Sequence, residues 1–324
     1  MSKKTVLATQ GAAGEVTNSQ AQQPVEKRES IWKDVLDGIV SNKAALVSGV
    51  FILLLAAVAG SIAVTVGDGP YHCQCALLVL TKGSHTYEQN LAESVQGPSA
   101  AHWFGTDIQG RDIFSRVLVG TQITLVVGLA AVAISLTVGV LLGAIAGYKG
   151  GKWDTVIMRI MDMMLAIPSI LLAIAIMAAL GQGIEKAVVA IGLVAIPEYA
   201  RIVRSEILAI KENDYVAAAR VIGDSNFAIV FRHVLPNALP SIIVRATLGI
   251  SSAILDCAAL GFLGLGVQPP DAEWGDMLGR GRNELFRAPW LMIFPGLAIT
   301  LTVLAFNLLG DGIRDGLDPK SRKR

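Results

Sequence analysis

Apolar residues in this chain come in runs of twenty or more, separated by shorter polar stretches. A helix crossing the hydrocarbon core of a bilayer needs about 20 apolar residues, because unpaired backbone groups in lipid cost several kcal/mol each. Six runs meet that demand, over residues 44–66, 117–146, 157–180, 186–208, 237–265 and 289–310. The first carries no charge, whereas the fourth is weakened by Glu198, Arg201 and Arg204 in its last turns. Ahead of the first run, within residues 31–43, IWKDVLDGIV sets Ile31, Trp32, Val35, Leu36, Ile39 and Val40 on one helical face and Lys33, Asp34 and Asp37 elsewhere. That pattern predicts an amphipathic helix lying in the membrane interface. Along the second run glycine returns every fourth residue, at Gly139, Gly143 and Gly147, so another backbone is expected to approach closely there, within the chain or from another subunit.

Composition agrees with the pattern. Of 324 residues, 53% are hydrophobic and 16% charged, against about 25% charged in an ordinary soluble domain. A net charge of +1 supplies no global field for a polyanion, which argues against nucleic acid as a partner. Three cysteines are too few for a disulfide framework. Residues 1–30, rich in Gln, Ser, Thr, Ala and Gly and without the apolar segment of a secretory signal, read as a disordered cytoplasmic tail, and 311–324 as a second one. With the N-terminus inside, nineteen of the 27 Lys and Arg fall on the cytoplasmic side and seven outside, Arg245 lying within a span. Both termini are therefore expected in the cytoplasm.

Between the fourth and fifth runs the polar, alanine-rich insert 211–236 contains DYVAAARVIGDSNFAIVFRHVLP. Ala217, Ala218 and Ala219 favour helix and leave a surface low enough to lie against another protein, and Gly223 supplies a helix stop. Beyond it, Asp224 or Ser225 is placed to cap a second helix, along which Phe227, Val230, Phe231 and Val234 recur on one face. Two short helices with a bend are predicted, presenting an apolar face that requires cover. The alternative is a connector solvated on all sides.

The run AAARVIG, nine residues, then HVLP resembles the cytoplasmic signature of permease subunits of ABC importers, with Gly223, Leu235 and Pro236 in register, Ala217 where the pattern has Glu and His233 where it has Ile. HWFGTDIQGRDIFSRVLVG, AGYKGGKWDTVIMRIMDMMLAIP, AALGFLGLGVQPPDAEWGDML and FNLLGDGIRDGLDP are similar to segments of the second permease of dipeptide and oligopeptide importers. The resemblance covers nearly everything from residue 31 onward, 67–101 least well. It implies an all-α fold of six transmembrane helices, the type I ABC importer permease, in a bacterial inner membrane. It also implies a homologous permease partner, two cytosolic ATPases carrying the ATP and Mg, an extracytoplasmic substrate-binding protein, and no cofactor or catalysis in this chain. Coupling to the ATPases then falls to Ala217, Ala218, Ala219, Val221, Ile222, Gly223, Phe227, Leu235 and Pro236. The transported class is dipeptides or short oligopeptides; glutathione or a nickel chelate would use the same role.

Ionisable residues inside membrane spans are costly enough to be functional candidates. Asp162, Arg245 and Asp256 are such residues, and a dipeptide's ammonium and carboxylate are groups they could guide; pairing with the partner permease is the other reading. Arg159, Glu198, Arg201 and Arg204 are expected to snorkel or pair as supports. Mixed charges in two outer loops, Asp107, Arg111, Asp112 and Arg116 in one and Asp271, Glu273, Asp276, Arg280, Arg282, Glu284 and Arg287 in the other, suit a rim that receives the binding protein. His72, Cys73, Cys75 and His85 do not have the spacing of a zinc site, which favours a Cys73–Cys75 disulfide or plain thiols.

The stretch GYKGGKW has only three residues between Gly147 and Gly151 and lacks the Ser or Thr of a phosphate-binding loop, so the energy source must lie in another chain. A secondary transporter using Asp162 or Asp256 would call for matching halves with broken helices, and an intramembrane enzyme for a nucleophile elbow or an H-E-x-x-H pair. Neither pattern is visible in the sequence.

Overall fold

The computed structural model describes residues 31–65 and 89–317. The expected tail 1–30 and the group His72, Cys73, Cys75 and His85 lie outside the described residues. Among the described residues ten helices carry the fold: α1 Ile31–Ser41, α2 Lys43–Thr65, α3 Ile113–Lys149, α4 Gly151–Leu165, α5 Ser169–Leu180, α6 Ile184–Ile210, α7 Asp214–Ile222, α8 Leu235–Phe262, α9 Trp274–Gly281 and α10 Trp290–Leu317. A short helical turn, Asn226–Ala228, and a wider π-helical turn, Ile229–Val234, join α7 to α8.

Among the described residues four stretches are long and apolar enough to cross a membrane: Lys43–Ser61, Ile113–Lys149, Asn226–Phe262 and Trp290–Leu317. The run expected as one span over 157–180 is instead two helices, α4 and α5, bent by 92°. Pro168 is the physical cause. It disfavours the helical conformation at Ile167 and has no N–H to continue the ladder. Counting α4 and α5 as one broken span raises the number to five. Helix α6 covers the expected fourth run and is long enough at 27 residues, but Glu185, Lys186, Glu198, Arg201, Arg204 and Glu206 interrupt its apolar windows. The C-terminal region is helical through Leu317, so the segment read as a tail from residue 311 begins as the last turns of α10.

The most extensive pairing is α3 with α6. The glycine stripe is its seam: a Cβ on Gly139 would lie 2.5 Å from the Tyr199 Cβ, and one on Gly143 2.5 Å from the Ala200 carbonyl oxygen. The close approach read from the repeat is thus made within the chain. Around this pair, Val127, Ala131, Met177, Ile191, Cys257 and Leu260 form a core shared by α3, α5, α6 and α8. Helix α1 ends where the Asn42 side chain accepts hydrogen bonds from the Ala44 and Ala45 backbone N–H at 3.0 and 3.3 Å, starting α2. Its apolar residues divide. Val35 is buried in a packing against α10, while Trp32, Leu36 and Val40 stay exposed. Exposed leucines and valines along α2 and α10 continue that apolar exterior, a surface that water does not favour in such extent.

Candidate functional site

The insert is built as two short helices around a glycine bend. Gly223, at φ 99° and ψ 16°, takes the left-handed conformation that costs other residues about 1–2 kcal/mol. Its N–H donates to the Arg220 carbonyl at 3.2 Å, and the Asp224 N–H to the Ala219 carbonyl at 3.1 Å, closing α7 with a Schellman motif. Ser225, rather than Asp224, caps the next turn by accepting from the Ala228 N–H at 3.2 Å. Asp224 instead faces the His233 Nε2 at 3.0 Å, tying the bend to the π-helical turn. The Tyr148 hydroxyl donates to the Asn226 Oδ1 at 2.8 Å, tying it to the end of α3.

This scaffold sorts the insert into two faces. Val216, Ala219, Ile229, Val230 and Val234 are buried against Val203 and Ile207 of α6 and Ala238 and Ile242 of α8. On the other face Val221 is 88% exposed, Ile222 83% and Phe227 72%. Phe231 lies 4.4 Å from Phe227, ring centre to ring centre, and extends the apolar ridge. Ala217 and Ala218 lie on the exposed side, whereas Ala219 packs inward and Leu235 and Pro236 are half-buried at the head of α8. Of the residues expected to form the coupling surface, Ala219, Leu235 and Pro236 therefore support it from behind, because helical periodicity turns them toward α6 and α8.

A second feature is an open cleft of about 300 Å³ between α3, α6 and α8, with the start of α5 at its edge. Arg245 and Asp256 line it together with Glu198, Tyr199, Ser169 and Ser252. Arg245 is ion-paired to Glu198 through its Nη2, and its guanidinium stacks 5.6 Å from the centre of the Tyr199 ring. Asp162 is elsewhere. It pairs with Arg201 between α4 and α6, away from the cleft lining. One turn further along α6, Arg204 holds Asp154 through a second bond of 2.7 Å, so α6 carries three ion pairs at three-residue spacing.

At the end opposite the insert the loop charges turn inward, contrary to the rim expected from the sequence. Asp107 accepts from the Gln109 and Arg111 backbone N–H at 2.8 and 3.0 Å and from the Arg111 Nε at 2.7 Å. Asp112 caps α3 by accepting from the Ser115 N–H at 2.7 Å and faces the His102 Nδ1 at 3.1 Å. Arg116, 1% exposed, reaches the carbonyls of Pro270 and Asp271 at 3.4 Å, stitching the two loops together. Glu273, 0% exposed, caps α9 by accepting from the Gly275 and Asp276 N–H, each at 2.8 Å. Burial pushes its pKa up to about 7 despite those two donors. Asp107, Arg111, Asp112 and Glu273 are thus scaffold residues, sealed by their own partners. Asp271 remains exposed, and Arg280 is half-exposed while its Nε donates to Asp276 at 2.7 Å.

Residues 139–323 match the family of binding-protein-dependent transport system inner membrane components. The chain belongs to that family. As such a component it is a membrane transport subunit and not itself catalytic. It is 46% identical over 296 residues to a dipeptide transport system permease protein, DppC, of Alkalihalophilus pseudofirmus, covering 90% of this chain and 91% of that one. It is 43% identical over 300 residues to a glutathione transport system permease protein, GsiD, of Pectobacterium atrosepticum, covering 92% and 95%. A probable D,D-dipeptide transport system permease protein, DdpC, of Escherichia coli is 53% identical over 224 residues, 69% of this chain and 75% of its own. Among solved structures, the inward-facing MetNI methionine ABC transporter aligns at a TM-score of 0.50 and 24% identity over 64% of this chain and 96% of that one, a likeness of fold.

Two features of this inner membrane component were not picked out from its sequence. Glu198 was read as a support near a helix end, yet it lines the cleft beside Arg245. The three-residue spacing of Glu198, Arg201 and Arg204 on α6 was the available signal, since it places them on one stripe. Tyr199 carried no signal of its own. Its place beneath Arg245 follows from Gly249, where a Cβ would lie 2.0 Å from the Tyr199 hydroxyl.

Proposed function

We propose that this chain is the permease subunit of an ATP-driven importer of short peptides, working beside a homologous permease, two cytosolic ATPases and a substrate-binding protein on the other side of the membrane. The observation that carries the reading is the ridge of Val221, Ile222 and Phe227, large apolar side chains held out by a well-capped bend whose other face is fully packed. A surface so rigid and so apolar is suited to a groove on another protein. The ATPase is that protein in this reading, because the insert faces the side on which Lys and Arg concentrate. Both termini then lie in the cytoplasm. The exposed Trp32, Leu36 and Val40 of α1 rest in the lipid interface, and the cleft of α6 and α8 forms one wall of the path shared with the partner permease.

Helices α6 and α8 emerge directly on either side of the insert. An ATPase that holds the ridge differently in its two nucleotide states therefore moves the cleft walls with it. The relatives' names cover dipeptides and glutathione, which share an ammonium, a carboxylate and amide bonds; that shared chemistry is the substrate class assigned to this chain. Purification of the tagged chain from its native membrane, followed by reconstitution, tests the reading. ATPase chains are expected to co-purify, and labelled dipeptide is expected to enter vesicles only with ATP and the binding protein present. Absence of any ATPase from the purified complex defeats it.

A further inference from the structure

The cleft holds charges of both signs that are unequally provided for. Arg245 offers Nη2 to Glu198, but its Nε is buried and meets no hydrogen-bond partner among the described residues. Asp256 lines the same cleft, and no described cation pairs with it. The two sit eleven residues apart on α8, three helical turns, and so share a face. The rise between them is about 16 Å. An extended peptide of two or three residues is about 7–10 Å long, comparable with that rise once the reach of the side chains and of the peptide's own termini is counted. The rest of the lining includes the apolar Val132, Ile191, Val194 and Leu255 and the hydroxyl-bearing Ser169 and Ser252.

We propose that Glu198 is a stand-in for the substrate's own carboxylate. In the empty cleft it satisfies Arg245. A short peptide displaces it, placing its terminal carboxylate across the Arg245 Nη2 and the vacant Nε and its ammonium on Asp256. Glu198, half-exposed and one turn from Arg201 on α6, then shares Arg201 with Asp162. The inference rests on reading the cleft as part of a peptide path.

The physical reason is the cost of charge in a low-dielectric site. A zwitterion entering an apolar channel loses hydration at both ends, and a bare arginine waiting for it is costly in its absence. Exchanging one carboxylate for another keeps the Arg245 guanidinium paired in both the empty and the occupied cleft, and the pair gained on binding is that of the ammonium with Asp256. The fork of Arg245 favours a carboxylate that also reaches Nε, which Glu198 leaves without a partner.

The test uses the complete complex in proteoliposomes with its binding protein and labelled dialanine. The double variant E198R/R245E keeps an ion pair between α6 and α8 but reverses its polarity. D256N keeps the shape of the side chain and removes its charge. Both are expected to assemble with the ATPases and to retain ATP hydrolysis stimulated by the binding protein within about twofold, while dialanine uptake falls about tenfold or more. Wild-type uptake by either assembled variant overturns the proposal; if the reversed pair does not assemble, D256N decides alone. A wild-type complex that hydrolyses ATP yet takes up neither dialanine nor glutathione sinks the peptide reading, and this proposal with it.

Discussion

At one end of the molecule three large apolar side chains, Val221, Ile222 and Phe227, stand in the open; at the other, Asp107, Arg111, Arg116 and Glu273 are shut away from solvent. By composition alone the loops at the far end are the better candidates for contact with another protein, since charge belongs on surfaces. The structure reverses the assignment. A buried charge whose partners are internal is committed to its own fold, whereas an apolar side chain held outward on a capped bend gains free energy from any cover it finds. Exposure that goes against solvation is the more informative sign of a docking surface, and charge density without exposure is not one.

The comparison breaks most readily at Asp107. Asp107→Ala leaves the buried Arg111 without its carboxylate, and a loss of about 3–5 kcal/mol is expected, read as a lowered thermal midpoint of the purified chain in detergent. A loss below about 1 kcal/mol would return the loop charges to the surface role. The mirror experiment is Val221→Asp with Ile222→Asp. Affinity for the ATPases should fall about 100-fold or more, near 3 kcal/mol, with the thermal midpoint unmoved.

Glu273 sharpens the contrast through pH. Its folded pKa of about 7 lies above the ordinary 4.5 because burial disfavours the charged form. The folded state therefore keeps the proton to higher pH than the unfolded chain does. The stability this contributes is full below pH 4.5 and is lost as pH rises through 7, about 3 kcal/mol in all. Unfolding followed across that window should show the slope in the native protein and a flattened one in Glu273→Gln; an unchanged slope would dissociate the effect from this carboxyl. The smallest effect is expected from Gly223→Ala, about 1–2 kcal/mol from the left-handed backbone alone, with ATPase binding weakened as the ridge tilts.

Much of this architecture was legible in the residues. The spacing of Gly139, Gly143 and Gly147 announced a close helix contact, and Gly223 with Asp224 or Ser225 announced the bend and its cap, because these signals are local and act through backbone geometry. What was illegible depends on distant parts of the chain. Arg116 meets carbonyls more than 150 residues away, and Glu198 meets an arginine on another helix, so nothing in their neighbourhood says whether they face solvent, lipid or each other. Pro168 falls between these cases. It stands in plain view, yet the apolar run passes through it unbroken, and hydrophobicity without regard to the missing N–H joins α4 and α5 into one span. The fourth run fails from the opposite side: α6 is an uninterrupted helix whose charges, spent on ion pairs within the protein, lower its apparent affinity for lipid.

The seam of small residues between α3 and α6 also sets how stiffly the parts are joined. Where Gly143 meets the Ala200 carbonyl there is no side-chain layer to compress, and from Glu198 to Ile210 the helix rises about 18 Å with neither glycine nor proline to flex. A displacement applied at Ile210 arrives at Glu198 undiminished, as through a rod in a tight sleeve rather than a spring. If an ATPase moves the insert as proposed, the tempo of events in the cleft follows that stroke, with little slack for the chain itself to take up.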